Sequence, residues 1–210
     1  MVMSRRWKIE RSRDHYYKMA KSSGFRSRAA FKLIEIIEKF NIIKEGYVIL
    51  DIGAYPGGWL QVASKATGPS GLVIGVDLRP IKELGEPNVK TIIGDVCDEN
   101  LHEELVKMVP SKVDVVLSDA SPKLTGVWTT DIARHVHIVQ CVIRLINKLL
   151  KKGGSAVIKA FQGSELDHVL PILRQQFGKV RLFKPKASRQ KSREIYLICM
   201  GFRGDGEGTY

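Results

Sequence analysis

The sequence has few of the features that mark secreted, membrane or metal-binding proteins. Its 210 residues include only three cysteines, Cys97, Cys141 and Cys199, and their wide spacing favours buried thiols in a reducing cytosol over a disulfide framework or a zinc knuckle. No apolar run approaches the roughly 20 residues of a membrane-spanning helix, and no apolar segment follows the basic start as in a secretory signal. His135 and His137 are two apart on a predicted helix and face different directions, which disfavours a metal site. We therefore expect a monomeric cytoplasmic protein without a metal ion or a membrane partner.

Positive charge, by contrast, is abundant and concentrated in two segments. The net charge is +12; residues 1–32 hold ten Lys and Arg against two acidic residues, and residues 181–193 hold six and no acidic residue. Neither segment has the amphipathic apolar face of an interfacial helix, which disfavours an anionic membrane surface. Two basic segments on a slightly acidic body indicate a polyanionic partner, and nucleic acid fits best.

Strand-like and helix-like patterns alternate along most of the chain. Compact β-rich runs predict strands at 47–51, 71–77, 89–93, 113–118, 155–159, 180–183 and 194–199. Apolar periodicity predicts helices at 26–40, 59–65, 101–109, 132–150 and 165–177. This alternation predicts an α/β fold with a mostly parallel seven-stranded sheet and helices on both faces. Only residues 184–193 separate the last two strands, too few for a parallel crossover, so the last strand is expected to run antiparallel.

The whole chain, 1–210, is predicted to form a single domain, because no repeat, low-complexity stretch or linker divides it. We expect residues 1–25 to form a basic amino-terminal arm and residues 201–210 a flexible tail.

Ionisable residues follow four of the predicted strands, and ligands of open α/β sheets bind beyond the carboxyl ends of strands. These residues are Asp51, Asp77, Asp119 and Lys159. A glycine-rich stretch, residues 52–58, follows the first strand and lets the backbone approach a ligand closely. Asp77 is placed where a dinucleotide-type site has the carboxylate that accepts ribose hydroxyls, and Asp95 follows the third strand within reach of an adenine edge. Singly each acid could be a helix cap or turn former; together they predict a site for an adenosine-containing cofactor.

The glycine-rich stretch is neither a Gly-x-Gly-x-x-Gly fingerprint nor a P-loop, which disfavours NAD and ATP. Residues 51–59, Asp-Ile-Gly-Ala-Tyr-Pro-Gly-Gly-Trp, closely resemble the cofactor loop of the RrmJ/FtsJ family of ribose 2′-O-methyltransferases. Further segments resemble the family in order and spacing: Arg26-Ser-Arg-Ala-Ala-Phe-Lys-Leu33, Ser118-Asp-Ala-Ser-Pro122, Val157-Ile-Lys-Ala-Phe161 and Ser192-Arg-Glu-Ile-Tyr196. The likeness extends over about residues 16–201. Two departures are that Tyr55 stands where bacterial members usually have Ala, and that residues 121–126 lack the commoner Met and Asn.

The resemblance implies a Rossmann-like S-adenosylmethionine-dependent methyltransferase fold and a catalytic tetrad. The tetrad would consist of Lys32, Asp119, Lys159 and Glu194. Contacts to S-adenosylmethionine would come from Gly57, Trp59, Asp77, Asp95 and Asp119. A ribose hydroxyl is a poor nucleophile, so a base must take its proton during attack on the methyl group. Lys159, when neutral, is the expected base, with Lys32 beside it and the two carboxylates orienting the lysines.

The implied reaction is methylation of a ribose 2′-hydroxyl in large-subunit ribosomal RNA, at a uridine of the A loop of 23S rRNA, with ribosomal RNA or the large subunit as partner. One alternative is a ribose 2′-O-methyltransferase of the tRNA anticodon loop. Two others are a non-catalytic RNA-binding ribosome-assembly factor and a nicotinamide oxidoreductase. A complete tetrad argues against a pure binder, and the missing phosphate-binding fingerprint argues against the oxidoreductase.

Overall fold

The computed structural model of the chain describes residues 15–109, 111–163 and 165–204. Its helices are α1 (His15–Ser22), α2 (Ala29–Phe40), α3 (Gly58–Thr67), α4 (Glu99–Met108), α5 (Trp128–Leu149) and α6 (Glu165–Gln176). Its strands are β1 (Val48–Ile52), β2 (Leu72–Asp77), β3 (Val89–Ile93), β4 (Val113–Ser118), β5 (Leu150–Phe161), β6 (Phe177–Phe183) and β7 (Glu194–Phe202). Within the described ranges, no helix is both long and apolar enough to cross a membrane.

The seven strands form one sheet in the order β3-β2-β1-β4-β5-β7-β6. Strands β1 to β5 pair in parallel, whereas β7 is antiparallel to both of its neighbours, β5 and β6. The predicted α/β fold and the antiparallel last strand are therefore confirmed. The parallel strands are almost continuous apolar runs because both of their faces are covered by helices.

Two apolar layers enclose the sheet. On one face, Leu50 of β1 packs in the same cluster as Leu105 of α4 and Leu145 of α5. On the other face, its neighbour Ile49 packs in a cluster with Leu33 of α2. Successive strand residues thus supply opposite layers, as the period-two geometry of a strand requires. This arrangement holds the carboxyl ends of β1 to β5 at one edge of the sheet.

Several boundaries differ from the sequence prediction around α5. The helix begins at Trp128, four residues earlier than expected. It ends at Leu149, and β5 starts at once with Leu150 instead of residue 155. Gly153 lies inside the strand, beside an irregular register between β4 and β5. Periodicity cannot reveal such a direct helix-to-strand junction, because no loop residues separate the two patterns.

Described secondary structure extends into both predicted terminal segments. Residues 15–22 of the expected arm form α1, which packs through the ring of Tyr16, 5.7 Å from that of Phe31. Residues 1–14, the rest of that arm, lie outside the described residues. At the other end, Gly201 and Phe202 belong to β7 and not to a tail, and residues 205–210 lie outside the described residues.

The expectation that all three cysteines are reduced is wrong for two of them. Cys97, between β3 and α4, is joined by a disulfide to Cys141 of α5, 44 residues later. Their separation in sequence gave no sign of this bond, which exists because α4 and α5 pack on the same face of the sheet. Cys199 is a free, buried thiol whose pKa is raised by burial, as expected for a core cysteine.

The two histidines of α5 do face different directions, as predicted. His135 is fully buried, whereas His137 is exposed. A nitrogen of His137 lies with the sulfurs of Cys97 and Cys141 inside a group whose potential ligand atoms are all within 4.8 Å of one another. The two sulfurs are bonded to each other, so neither offers a thiolate to a metal ion.

Candidate active site

The site lies where β1 and β4 are neighbours and the chain leaves them toward opposite sides of the sheet, the usual ligand position in such sheets. The backbone after β1 is held there by a hydrogen bond from Gly53 N to Val76 O, 2.9 Å long. A Cβ on Gly53 would lie 2.6 Å from the Cα of Ala120, and its φ is +74°. Only glycine therefore allows the loops after β1 and β4 to approach this closely.

The glycine loop is braced by Arg26. Its guanidinium donates to the carbonyl oxygens of Pro56 (3.3 Å) and Glu83 (2.6 Å), and also to that of Lys82. Gly57, which caps α3 with a φ of 108°, lies against the same side chain. The sequence placed Arg26 in a basic segment and in a segment that resembles the family, and the structure shows that it supports the glycine-rich loop after β1.

The carboxylates of Asp77 and Asp95 stand at the ends of adjacent strands, β2 and β3. Asp77 accepts hydrogen bonds from the backbone N–H groups of Tyr55 and Arg79, each 3.0 Å long. Asp95 accepts one from Cys97 N, 2.9 Å long. Ile93, which precedes Asp95 and pairs with Asp77, is 63% exposed. Carboxylates beside exposed apolar surface suit a nucleoside. Its ribose hydroxyls can donate hydrogen bonds to the carboxylates, and its flat base can pack against the apolar side chains.

Asp51 provides a further test of whether a cationic cofactor fits. Both of its carboxylate oxygens are buried, and neither accepts a hydrogen bond from a described residue. Burial, with the nearby charges of Asp119 and Asp77, raises its pKa well above the usual range. A positively charged ligand beside the glycine loop would offset this accumulation of negative charge. S-adenosylmethionine, which carries a sulfonium and an ammonium group, meets that requirement.

The four predicted catalytic residues form one connected chain of polar contacts. Lys32 of α2 donates to Glu194 Oε1 at 2.7 Å. At the other end, Lys159 Nζ lies 3.2 Å from Asp119 Oδ1 and donates to the backbone oxygen of Asp119 at 2.8 Å. The phenol of Tyr196 joins these pairs, accepting from Lys32 Nζ at 3.1 Å and donating to Asp119 Oδ1 at 2.8 Å.

Tyr196 is the functional residue to which the sequence reasoning assigned no role. It lies two residues after Glu194 on β7 and pairs directly with Lys159 on β5, so the sheet places it between the halves of the tetrad. Its place on the same strand face as Glu194 was the available signal. Burial, together with the carboxylates of Asp119 and Glu194, raises the pKa of the phenol well above its usual range. The hydroxyl therefore stays protonated and able to donate.

Electrostatics keep Asp119 ionised. Burial alone would raise its pKa, but the ammonium groups of Lys159 and Lys32 and the hydrogen bond from Tyr196 outweigh burial and hold the pKa below the usual value. Each lysine of the tetrad thus faces a carboxylate, and both are nearly buried, at 8% exposure. The arrangement confines two positive and two negative groups to one cluster with little access to water.

Trp59, predicted to contact the cofactor, is also buried. Its indole N–H donates to the carbonyl oxygen of Ala29 at 2.8 Å, and its ring lies 5.7 Å from that of Tyr196. The side chain thus packs behind the tetrad, so a cofactor contact would come from its backbone. Cofactor contacts by Gly57, Asp77 and Asp95, like the one by Trp59, remain predictions.

Comparison with known proteins identifies a family that matches most of the chain. The model of the FtsJ-like methyltransferase family matches residues 25–202. The chain belongs to this family. That membership confirms the family resemblance found in the sequence. It also confirms that the protein is a methyltransferase.

Curated relatives cover nearly the whole chain. The ribosomal RNA large subunit methyltransferase E of Methanocaldococcus jannaschii is 44% identical over 203 residues, which are 95% of this chain and 83% of the relative. The protein of the same name from Methanothermobacter thermautotrophicus is 43% identical over 96% of both chains.

Solved structures show the same fold. A ribosomal RNA methyltransferase of Plasmodium falciparum matches with a TM-score of 0.76 and 32% identity, over 86% of this chain and all of that one. Aeropyrum pernix fibrillarin, solved with natively bound S-adenosylmethionine, matches with a TM-score of 0.57 over 82% of this chain and 73% of that one. At 19% identity, the fibrillarin match concerns the fold alone.

Proposed function

We propose that this protein transfers the methyl group of S-adenosylmethionine to a ribose 2′-hydroxyl of large-subunit ribosomal RNA. The observation that carries the proposal is the connected chain from Glu194 through Lys32, Tyr196 and Asp119 to Lys159. Four separate parts of the chain supply these side chains, and a protein that only binds RNA has no need of them in one connected cluster. Membership of the FtsJ-like methyltransferase family supports both the reaction and the cofactor.

Lys159 is the general base of the proposed reaction. S-adenosylmethionine supplies an electrophilic methyl group on a sulfonium, which leaves with the bonding electrons as a thioether. Lys159 first releases its ammonium proton to solvent. The ribose oxygen then forms the new bond to the methyl carbon, and its proton passes to the neutral Nζ of Lys159. Asp119 fixes the position of that amine through its carboxylate and its backbone oxygen. Lys32 and Glu194 form the second pair, from which Lys32 reaches the same network through Tyr196.

The cofactor residues then act by position. Asp77 would accept hydrogen bonds from the ribose hydroxyls of S-adenosylmethionine, and Asp95 would contact its adenine. The positive charge of the bound cofactor would offset the raised pKa of Asp51, so that this carboxylate could balance the charge. Gly57 allows close approach of the loop backbone, and Arg26 keeps that loop in place. Each contribution is one of binding and orientation.

The proposed RNA footprint extends from the tetrad across the described part of the first basic segment, residues 15–32, and the second segment, residues 181–193, which contact each other. The backbone N–H groups of Lys186 and Ala187 donate to the carboxylate of Glu35 in α2, at 2.7 and 2.8 Å. Arg28, just before α2, donates to the carbonyl oxygen of Ala187. The pKa of Arg28 is lowered, mainly by burial and also by the nearby positive charge of Arg189. Positive groups far apart in sequence thus share one surface beside the tetrad, as an RNA backbone requires.

The target is proposed from the relatives. Two curated relatives are named ribosomal RNA large subunit methyltransferase E, and we assign this chain to a uridine of the A loop of 23S rRNA. We further propose that it acts in the cytoplasm as a monomeric single-domain enzyme.

The test is nucleoside mass spectrometry after incubation with isotope-labelled S-adenosylmethionine. Large-subunit rRNA, the assembled subunit and tRNA are the substrates, and Lys159→Ala is the inactive control. Labelled 2′-O-methyluridine from rRNA, mapped to the A loop, is expected. Label found only in tRNA would redirect the proposal to the anticodon-loop reaction, and label on a base nitrogen or carbon would overturn ribose methylation.

A further inference from the structure

The loop between β4 and α5 exposes an unusual amount of apolar surface next to the tetrad. Leu124, Val127 and Trp128 are 63%, 56% and 43% exposed. This loop follows Asp119 directly, so its surface borders the place where the ribose would react. Clustered exposed apolar side chains mark binding surfaces more often than isolated ones do.

The loop is fixed in shape by a buried carboxylate. Asp131, in the first turn of α5, accepts hydrogen bonds from Thr125 N (2.8 Å), Thr125 Oγ1 (2.7 Å) and Gly126 N (3.1 Å). Asp131 itself is only 4% exposed. Three bonds to one charged group hold the turn just before Trp128, so the exposed indole is presented in a defined position.

Trp128 also contacts the immediate sequence neighbours of the tetrad. Its ring lies 5.9 Å from that of Phe161, which is two residues beyond Lys159 on β5. The guanidinium of Arg193, the residue before Glu194, lies over the indole 4.7 Å from its centroid. The indole therefore lies beside the paired ends of β5 and β7, two strands that each carry a proposed catalytic side chain.

We propose that Trp128 and Arg193 form a stacking platform for an RNA base next to the ribose that is methylated. The inference rests on the proposed function and adds a positioning site to it. Indole rings and guanidinium planes both stack on nucleobases, and such stacking tolerates any base identity. Lys123 and Lys191 are exposed and lie close in sequence to Trp128 and Arg193, respectively. Their positive charges suit contacts with the phosphates that adjoin the stacked base. The platform holds the nucleotide so that its hydroxyl faces Lys159.

The experiment measures equilibrium binding of a labelled large-subunit rRNA transcript, with turnover and S-adenosylmethionine affinity measured on the same samples. The variants are Trp128→Ala, Trp128→Phe and Arg193→Ala. Arg174→Ala is the control with the same charge change, since Arg174 is exposed in the last turn of α6, toward the opposite edge of the sheet. Loss of one stacked base weakens RNA binding roughly 5- to 150-fold.

We expect Trp128→Ala to weaken RNA binding within that range and to raise KM for RNA by a similar factor. Trp128→Phe should recover most of the loss, Arg193→Ala should weaken binding beyond Arg174→Ala, and S-adenosylmethionine affinity should stay unchanged. Unaltered RNA binding in Trp128→Ala would overturn the platform, as would an equal loss of cofactor affinity, which would indicate a structural role. Self-association that Trp128→Ala abolishes, with RNA binding intact, would assign the surface to a second copy of the chain.

Failure of the proposed function can be distinguished from failure of the stacking platform. A wild-type protein that binds the transcript without methylating it would contradict the reaction, and the platform would still be decided by the binding of the variants. A wild-type protein that does not bind RNA at all would overturn both.

Discussion

Tyr196→Phe is the most informative single substitution for the connected tetrad. It removes one oxygen atom, through which Lys32 is linked to Asp119. The remaining ring still fills the same buried space against Trp59, so packing is kept. Any effect on stability or rate therefore reports on the two hydrogen bonds.

The size of the effect follows from what each partner retains. A hydrogen bond to a charged group contributes roughly 1.5–3 kcal/mol. Lys32 keeps Glu194 and Asp119 keeps Lys159, so the loss should be nearer to one such bond than to two. We expect a decrease in the free energy of unfolding of about 2 kcal/mol, or roughly 5 °C in Tm for a protein of this size. We also expect turnover to fall by about tenfold, which corresponds to roughly 1.4 kcal/mol.

The pH dependence of stability distinguishes the loss of the Tyr196 hydrogen bonds from a general destabilisation. The lowered pKa of Asp119 stabilises the fold above the usual carboxyl pKa, and this stability is lost as pH falls through the lowered value. Without the hydrogen bond from Tyr196, that pKa rises toward its usual range. The acid loss of stability should then be smaller and be complete at a higher pH in Tyr196→Phe, and the gap to wild type should shrink in strong acid.

The assay is thermal unfolding by circular dichroism across the acid range, with turnover measured at saturating cofactor and RNA. Tyr47→Phe is the matched control, since Tyr47 precedes β1 at the opposite edge of the sheet. Unchanged Tm and turnover in Tyr196→Phe, at every pH, would refute a coupled tetrad. A lower Tm with normal turnover would limit Tyr196 to a structural role.

Three further predictions concern the base, the cofactor and the disulfide. Lys159→Ala should lower turnover roughly 10²- to 10⁴-fold with normal cofactor affinity, and Lys159→Arg should do no better, because a guanidinium cannot accept the proton; substantial turnover in the arginine variant would exclude Lys159 as the base. Asp77→Ala should weaken S-adenosylmethionine binding about tenfold or more in calorimetry, through loss of charge-assisted hydrogen bonds, and unchanged affinity would place the cofactor ribose elsewhere. Cys97→Ser opens a loop closed across 44 residues and should lower the free energy of unfolding by about 4 kcal/mol in denaturant titrations. Reductant should bring the wild type to the same value and leave the variant unaffected; equal stability of wild type with and without reductant would contradict the disulfide's contribution.

Local patterns in the sequence determined most of the secondary structure, and the resemblance to the FtsJ family implied the members of the tetrad. Alternating apolar runs are local, and Asp51 and Asp77 stand at strand ends that can be recognised without tertiary contacts. The short link between the last two strands also fixed the antiparallel direction of β7, since a parallel crossover needs more residues. The glycine-rich loop disfavoured NAD and ATP as cofactors, because the spacing of its glycines can be read directly from the sequence.

Tertiary structure alone decided how these residues are connected. Tyr196 joins the two halves of the tetrad only because β7 lies beside β5, a pairing that no local pattern encodes. Cys97 and Cys141 meet because two helices pack on one face of the sheet, and sequence separation carries no information about that contact. Arg26 has the same charge as its basic neighbours. It stabilises the glycine-rich loop only because that loop folds against it and accepts its hydrogen bonds. Residue type and spacing thus specify the chemistry that is available, and long-range packing specifies which groups act on one another.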